Sequence, residues 1–305
     1  MGTPEFAKAS LEKIYDSGFN IVGCYTNPDK PAGRGMKLKY SPVKEYAILK
    51  NIPVYQPFKV RNNSEVIEEI KNLNPDVIAV VAYGKILPKV ILDIPKYGCV
   101  NVHSSLLPKY RGSAPMQWAI INGEEKTGVT TMLMDEGMDT GDILLKEEID
   151  ILDSDNLETI HDKLMIIGAN LLVETIDGLV DRKIDRIKQT GDFSMAPMIH
   201  RDTTHIDFNK NAREIFNFVR GLSPYPGTYI KRDDGKIFKV FEIEYFEEEV
   251  EGVNGEVILV NKNNLLIKCN NGYIKIKTIQ PENSKKMDIV AFLQGNKISL
   301  HDMFV

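Results

Sequence analysis

The chain has 305 residues, 43% of them apolar and 27% charged, with a formal net charge of −5. That composition excludes intrinsic disorder, and the length suggests two domains. No apolar run reaches the roughly 18 residues of a membrane span, the N-terminal stretch with Glu5, Glu12 and Asp16 is not a signal peptide, and the acidic balance argues against a dedicated nucleic-acid coat.

The first part alternates helix and strand signals. Thr3–Ser17 reads as a helix, with Thr3 as N-cap, Pro4 at its first position and Gly18 closing it. Asn20–Thr26 and Val77–Tyr83 read as buried strands, rich in the apolar residues of central parallel strands. Gly98–His103 and Val129–Met134 look like two further strands, and Asn156–Asp181 carries a long helical period. Such alternation predicts an α/β domain with a doubly wound parallel sheet over 1–188. Residues 189–206 show no period and read as a linker. A helix at Asn211–Arg220 follows, then short strands at Ile237–Tyr245, Val257–Val260, Leu265–Cys269 and Tyr273–Ile279, which predict a small β-barrel-like domain over 207–305. Positive and negative side chains balance there, with the acids concentrated in Glu242–Glu251. Lys231, Arg232, Lys236, Lys239, Lys275, Lys277, Lys285 and Lys286 are thereby left to form a basic or merely solvated face.

The densest chemistry lies in Cys99–Pro115. Alternate residues of a strand share a face, so Asn101 and His103 project together at its carboxyl end, where open α/β sheets bind ligands. Histidine carries protons near neutral pH, and an asparagine amide is a neutral donor suited to an oxyanion. A second dense segment, Asp135–Leu144, is an acidic turn; Asp139 is the carboxylate that its tight turn could hold inward, close enough to orient an imidazole, while Asp135, Glu136 and Asp142 read as surface. There is no dinucleotide or P-loop fingerprint, no metalloprotease or nucleophile-elbow motif, and the five histidines lack the spacing of a metal site. Cys24, Cys99 and Cys269 are too far apart for a zinc set or a disulfide framework and fit a reducing cytoplasm.

The segment NVHSSLLPKYRGSAP followed by MDEGMDTGDIL resembles the formyltransferase family that uses 10-formyltetrahydrofolate. MGTPEFA, NPDKPAGRGMKLKYSPVK, VVAYGKILPKVIL and HIDFNKNAREIFNFVRGLSPYPG extend the resemblance over nearly the whole chain, to the branch acting on methionyl-initiator tRNA. The resemblance implies a Rossmann-like catalytic domain, an OB-like C-terminal domain that binds tRNA, and a cytoplasmic monomer that needs no metal. It places the catalytic triad on Asn101, His103 and Asp139. It places folate contacts on Ser105, Leu106, Leu107 and Pro108, and on the pocket wall Val81, Ala82, Tyr83, Gly84 and Leu87. Arg34, Lys37 and Lys39 become the tRNA-contacting loop. Family members begin with a short apolar strand that ends where Met1 stands, so a central strand is expected to be missing from the sheet. Three other readings remain. An amino-sugar formyltransferase would share the Asn101, His103 and Ser105–Pro108 blocks but has no need of the basic loop. A glycinamide ribonucleotide formyltransferase would leave the C-terminal residues unused. A folate- or RNA-binding protein without turnover is the third.

Overall fold

The computed structural model describes residues 1–32 and 37–305, with side chains for 1–31 and 38–305. Its elements begin with α1 (Glu5–Asp16), β1 (Cys24–Tyr25), β2 (Lys30–Ala32), β3 (Lys37–Lys39), α2 (Pro42–Leu49), β4 (Val54–Tyr55), α3 (Ser64–Leu73) and β5 (Ile78–Val80). There follow α4 (Lys89–Leu92), β6 (Cys99–His103), β7 (Arg111–Gly112), α5 (Pro115–Ile121), β8 (Lys126–Leu133), β9 (Ile143–Asp150), α6 (Leu157–Val180) and β10 (Met195–Ala196). The chain ends through α7 (Ala212–Gly221), β11 (Thr228–Lys231), β12 (Ile237–Phe246), β13 (Val257–Val260), β14 (Leu265–Cys269), β15 (Gly272–Pro281), β16 (Met287–Asp288) and α8 (Ile289–Gly295). Two compact units result. The first comprises Met1–Ser113, Thr127–Ile149 and His161–Ala196; the second comprises Ala114–Lys126, Asp150–Ile160 and Pro197–Val305.

In the first unit the main sheet has the order β5–β6–β8–β9. β5 and β6 are parallel, Ile78 opposite Cys99 and Val80 opposite Asn101, as the sequence predicts. β8 departs from that expectation by running antiparallel to β6, with His103 opposite Thr130. β9 returns from β8 through the short Asp135–Asp142 turn, too short for a parallel crossover. A sheet that mixes parallel and antiparallel pairs in this way is a common arrangement.

The expected Asn20–Thr26 strand is reduced to Cys24–Tyr25, which pairs in parallel with β4. The preceding residues are apolar enough for a strand but have no ladder partner among the described residues. Among the described residues, the first two bridge β1 and β5. Gly2 N–H donates to Tyr25 O at 2.9 Å, Val81 N–H donates to Met1 O at 2.9 Å, and the Met1 ammonium donates to Ala79 O at 2.6 Å. Beside this bridge lies a cavity of about 470 Å³, lined by residues that include Phe19, Val22, Ile70, Leu73 and Val77.

Local caps explain the helices. Asn63 Oδ1 accepts from Val66 N–H at the start of α3, and left-handed Asn74 ends it. Ser41 Oγ accepts from Lys44 N–H before Pro42 opens α2. Thr3 does not cap α1: Pro4 holds that position, and Thr3 Oγ1 instead accepts from the Asn27 amide at 3.0 Å. The same amide nitrogen donates to Tyr83 O at 3.0 Å, so Thr3 helps fix the chain after β5.

The second unit is a six-stranded sheet, β11–β12–β15–β14–β13 with β16 on β15, antiparallel in every pairing. Alternate residues of its strands turn inward, and with α7 and α8 they enclose one apolar cluster that includes Ile206, Phe238, Ile267, Ile276, Phe292 and Phe304. A capping box between Asn211 and Glu214 starts α7. Along α7 the Arg220 guanidinium donates to Leu152 O and Asp155 O at 2.7 and 3.1 Å, fastening the Asp150–Ile160 segment. Of the eight basic side chains named for a basic or solvated face, four meet acids: Lys275 and Lys277 both meet Glu244, and Arg232 and Lys236 meet Asp234. Acids on neighbouring positions of this sheet neutralise them.

Candidate active site

β6 delivers the first two residues. Val100 and Val102 are buried behind it, and Cys99 lies deep enough that burial pushes its thiol up to about 12, which makes it packing rather than a nucleophile. Asn101 is half-buried, and its side-chain amide has no hydrogen-bond partner among the described residues. His103 is 6% exposed. Its Nε2 lies 2.9 Å from Tyr110 O; a carbonyl only accepts, so Nε2 carries the proton and donates. Nδ1 is then the nitrogen left for proton exchange, and it faces Asp139 Oδ1 at 3.7 Å.

The turn between β8 and β9 places that carboxylate. Asp135 serves the turn itself, accepting from Gly137 N–H and the Thr140 hydroxyl, in keeping with a surface role. Asp139 has left-handed backbone at φ 53° and turns its side chain inward, where Oδ2 accepts from Gly112 N–H at 2.8 Å. Gly112 itself has φ 125°, and a Cβ there would stand 2.6 Å from Ala196 O, so only glycine allows this approach. Two carboxylate oxygens thus have two tasks: one is anchored on the backbone and the other is turned to the imidazole. The structure brings Asn101, His103 and Asp139 into one unit.

The two segments expected to hold the folate behave differently at each residue. Ser105 and Leu107 are fully buried and maintain the loop: Ser105 Oγ donates to Lys109 O, Thr130 Oγ1 donates to Ser105 O, and Leu107 N–H donates to Thr130 Oγ1. Lys146 Nζ donates to Leu107 O. Leu106 and Pro108 are the half-exposed members. In the second segment Val81, Tyr83 and Leu87 are buried, and the Tyr83 hydroxyl has no hydrogen-bond partner among the described residues and is pushed up to about 12 by burial. Ala82 and Gly84 are exposed with positive φ, 45° and 70°, and so present backbone rather than side chain. Exposed peptide groups beside small apolar faces suit a flat heterocycle rich in amide-like edges, such as a pterin.

Arg34 lies outside the described residues. Lys37 and Lys39 belong to the β2–β3 ribbon, with Lys30 opposite Lys39 and Ala32 opposite Lys37. Lys44, beyond that loop, is committed to Asp29 and Gln56. Residues that sequence reasoning did not single out are Gly112, Thr130, Lys146, Arg111 and Gln189. Gly112 and Arg111 sit within the motif-bearing stretch; Gln189 has no local signal at all. Among the described residues no group of three or more His, Cys, Asp or Glu is placed to hold a metal, and no helix is long and apolar enough to cross a membrane.

Residues 1–176 match the family model described as formyl transferase, and 198–297 match that of the formyl transferase C-terminal domain. The chain belongs to the formyl transferase family. It is 49% identical over 302 residues to a methionyl-tRNA formyltransferase of Caldanaerobacter subterraneus subsp. tengcongensis, covering 98% of this chain and 96% of the relative. With the methionyl-tRNA formyltransferase of Clostridioides difficile the figures are 50% over 299 residues, 98% and 96%. Among solved structures, an N-formyltransferase from Helicobacter canadensis in complex with folinic acid and dTDP-3-aminofucose superposes with a TM-score of 0.64 at 20% identity, covering 94% of this chain and 97% of that one. HypX from Aquifex aeolicus in complex with tetrahydrofolic acid gives 0.58 at 18% identity, covering 85% and 47%. At those identities the likeness is one of fold. This formyl transferase therefore has the family's α/β N-terminal domain and its C-terminal β domain.

Proposed function

We propose that the enzyme transfers the formyl group of 10-formyltetrahydrofolate to the free amino group of methionyl-initiator tRNA, for translation initiation in the cytoplasm. Two observations support it: near full-length relatives at close to half identity are named methionyl-tRNA formyltransferases, and this chain turns the Nδ1 of His103 to Asp139 on the strand face shared with Asn101, whose amide has no partner among the described residues. The second of these carries the chemistry. Bound 10-formyltetrahydrofolate supplies the formyl carbon; as the amine bonds to that carbon the bond to N10 breaks, and N10 takes up a proton as tetrahydrofolate leaves. Asn101 donates a hydrogen bond to the formyl oxygen as negative charge develops there. His103, held by Tyr110 O through Nε2, manages at Nδ1 the proton that the attacking amine must lose; a free α-amino group ordinarily titrates at about 8 and so is largely protonated at neutral pH. Asp139 stabilises the charge that this proton brings to the ring.

The folate lies along the Leu106 and Pro108 faces and the backbone of Ala82–Gly84, with Ser105, Leu107, Val81, Tyr83 and Leu87 maintaining those walls. Residues 1–188 form the Rossmann-like catalytic domain, and 207–305 an OB-like barrel that holds tRNA. The sheet irregularity between Val240 and Ile243, which coils β12, supports the barrel reading. Arg34, Lys37 and Lys39 meet the acceptor end of the tRNA.

The direct test offers purified protein charged initiator tRNA or a nucleotide-linked amino sugar, each with 10-formyltetrahydrofolate. Formylation of the tRNA alone is expected. Formylation of the sugar alone would transfer the site to sugar chemistry, and folate binding without turnover of either would make this a binding protein.

A further inference from the structure

Residues 187–196 carry no periodic pattern, yet in the first unit they are tied down at several points. Ile187 and Ile143 exchange backbone hydrogen bonds at 2.8 and 2.9 Å, and Arg111 N–H donates to Ser194 O at 2.9 Å. Between these anchors stands Gln189. Its Nε2 donates to Asp139 O and to Gly141 O, both at 2.8 Å, and its Oε1 accepts from Arg111 Nε and Nη2 at 3.1 and 2.7 Å. Both amide hydrogens and both lone pairs are used. The orientation of the amide is forced, because the two carbonyls can only accept and the guanidinium can only donate. The Arg111 guanidinium also lies over the Phe193 ring, 4.8 Å from its centroid.

The contacts close a ring. Asp139 and Gly141 backbone lead to Gln189, Gln189 to Arg111, Arg111 to its neighbour Gly112, and Gly112 N–H back to the Asp139 carboxylate. A left-handed aspartate in an exposed turn has few packing contacts to hold it, and the amide clamp supplies what packing does not. We infer that Gln189 is a positioning residue for formyl transfer, locking the Asp139 turn so that its carboxylate faces His103 Nδ1. The inference rests on the roles assigned above to His103 and Asp139. Gln189 does not touch the reacting atoms; it acts through Asp139.

Two substitutions separate the clamp from general structure. Gln189→Met keeps the length of the side chain and removes every hydrogen bond. Gln189→Glu keeps the acceptor for Arg111 but turns an oxygen toward two carbonyl oxygens. Both are expected to lower kcat by about 10- to 100-fold, the scale of a misplaced catalytic group, with KM for tRNA and folate within about twofold of the parent. In an Asp139→Asn background Gln189→Met should add little further loss, because the group it positions is already disabled. A normal kcat in both variants, a loss confined to KM, or an equal fold-loss with and without the Asp139 carboxylate would overturn the inference. If Gln189→Met does not fold, Gln189→Glu decides the question on the same measurements. Asp139→Asn at full rate would instead overturn the site reading beneath it, so the two failures are distinguishable.

Discussion

Asn101 and His103 stand on the regular strand β6, flanked on one side by β5 and on the other by β8, whereas Asp139 stands on a left-handed turn tied to Gly112 and to a distant glutamine. Strand residues inherit their direction from the ladder, and a substitution there removes a functional group while the frame persists. A turn residue owes its position to specific hydrogen bonds, so the carboxylate proposed for catalysis can be displaced by changes at residues outside the proposed site. Two of the three proposed site residues are therefore held by the strand ladder and the third by side-chain and backbone polar contacts.

The largest effect is expected at the strand. His103→Ala should lower turnover by about two to four powers of ten, the range for a lost acid–base group, with folate and tRNA affinity largely retained; steady-state formylation and equilibrium binding together check this. On the turn, Asp139→Asn keeps shape and removes charge. Turnover should fall about a hundredfold in steady-state formylation; a full rate would reduce Asp139 to a surface residue. Gly112→Ala tests the turn from behind. The new Cβ would collide with Ala196 O and disturb the N–H given to Asp139, at a cost of about 1–3 kcal/mol in strain. Thermal unfolding should show that loss, with a drop of about tenfold in turnover beyond it.

A contrast from the second unit is the smallest effect. Asp153 is held below the usual carboxylate range by its hydrogen bond from Arg213, so the pair contributes stability above the unfolded carboxylate value of about 3.9, and that contribution is lost as pH falls through the depressed folded value. Both side chains are more than a third exposed, so Asp153→Asn should cost less than about 1 kcal/mol at neutral pH and nothing well below the folded value, with turnover untouched. Denaturant midpoints at neutral and acid pH measure both.

The same division explains what could be read from sequence. Strand alternation and a polar exit made Asn101 and His103 visible, and the glycine-shaped acidic turn made Asp139 a candidate. Gln189 was invisible, because its partners are two backbone carbonyls and a guanidinium far away in the chain, and no spacing encodes that. Asn20–Gly23 had the apolar composition of a strand, but a strand also needs a neighbour to pair with. The antiparallel β8 follows a long connection through β7 and α5, and no residue pattern in that connection sets the direction in which the chain re-enters the sheet. Lys275 and Lys277 looked free until the register of β12 against β15 set Glu244 beside them.

Asn101→Ala tests the central claim most directly, because nothing else in the described structure depends on that amide. Single-turnover formylation of charged initiator tRNA, measured at saturating folate alongside folate affinity, is expected to slow by about 10²- to 10³-fold with folate affinity kept. A single-turnover rate equal to the parent's, or a loss explained wholly by weaker folate binding, would contradict the assignment of Asn101 to the formyl oxygen.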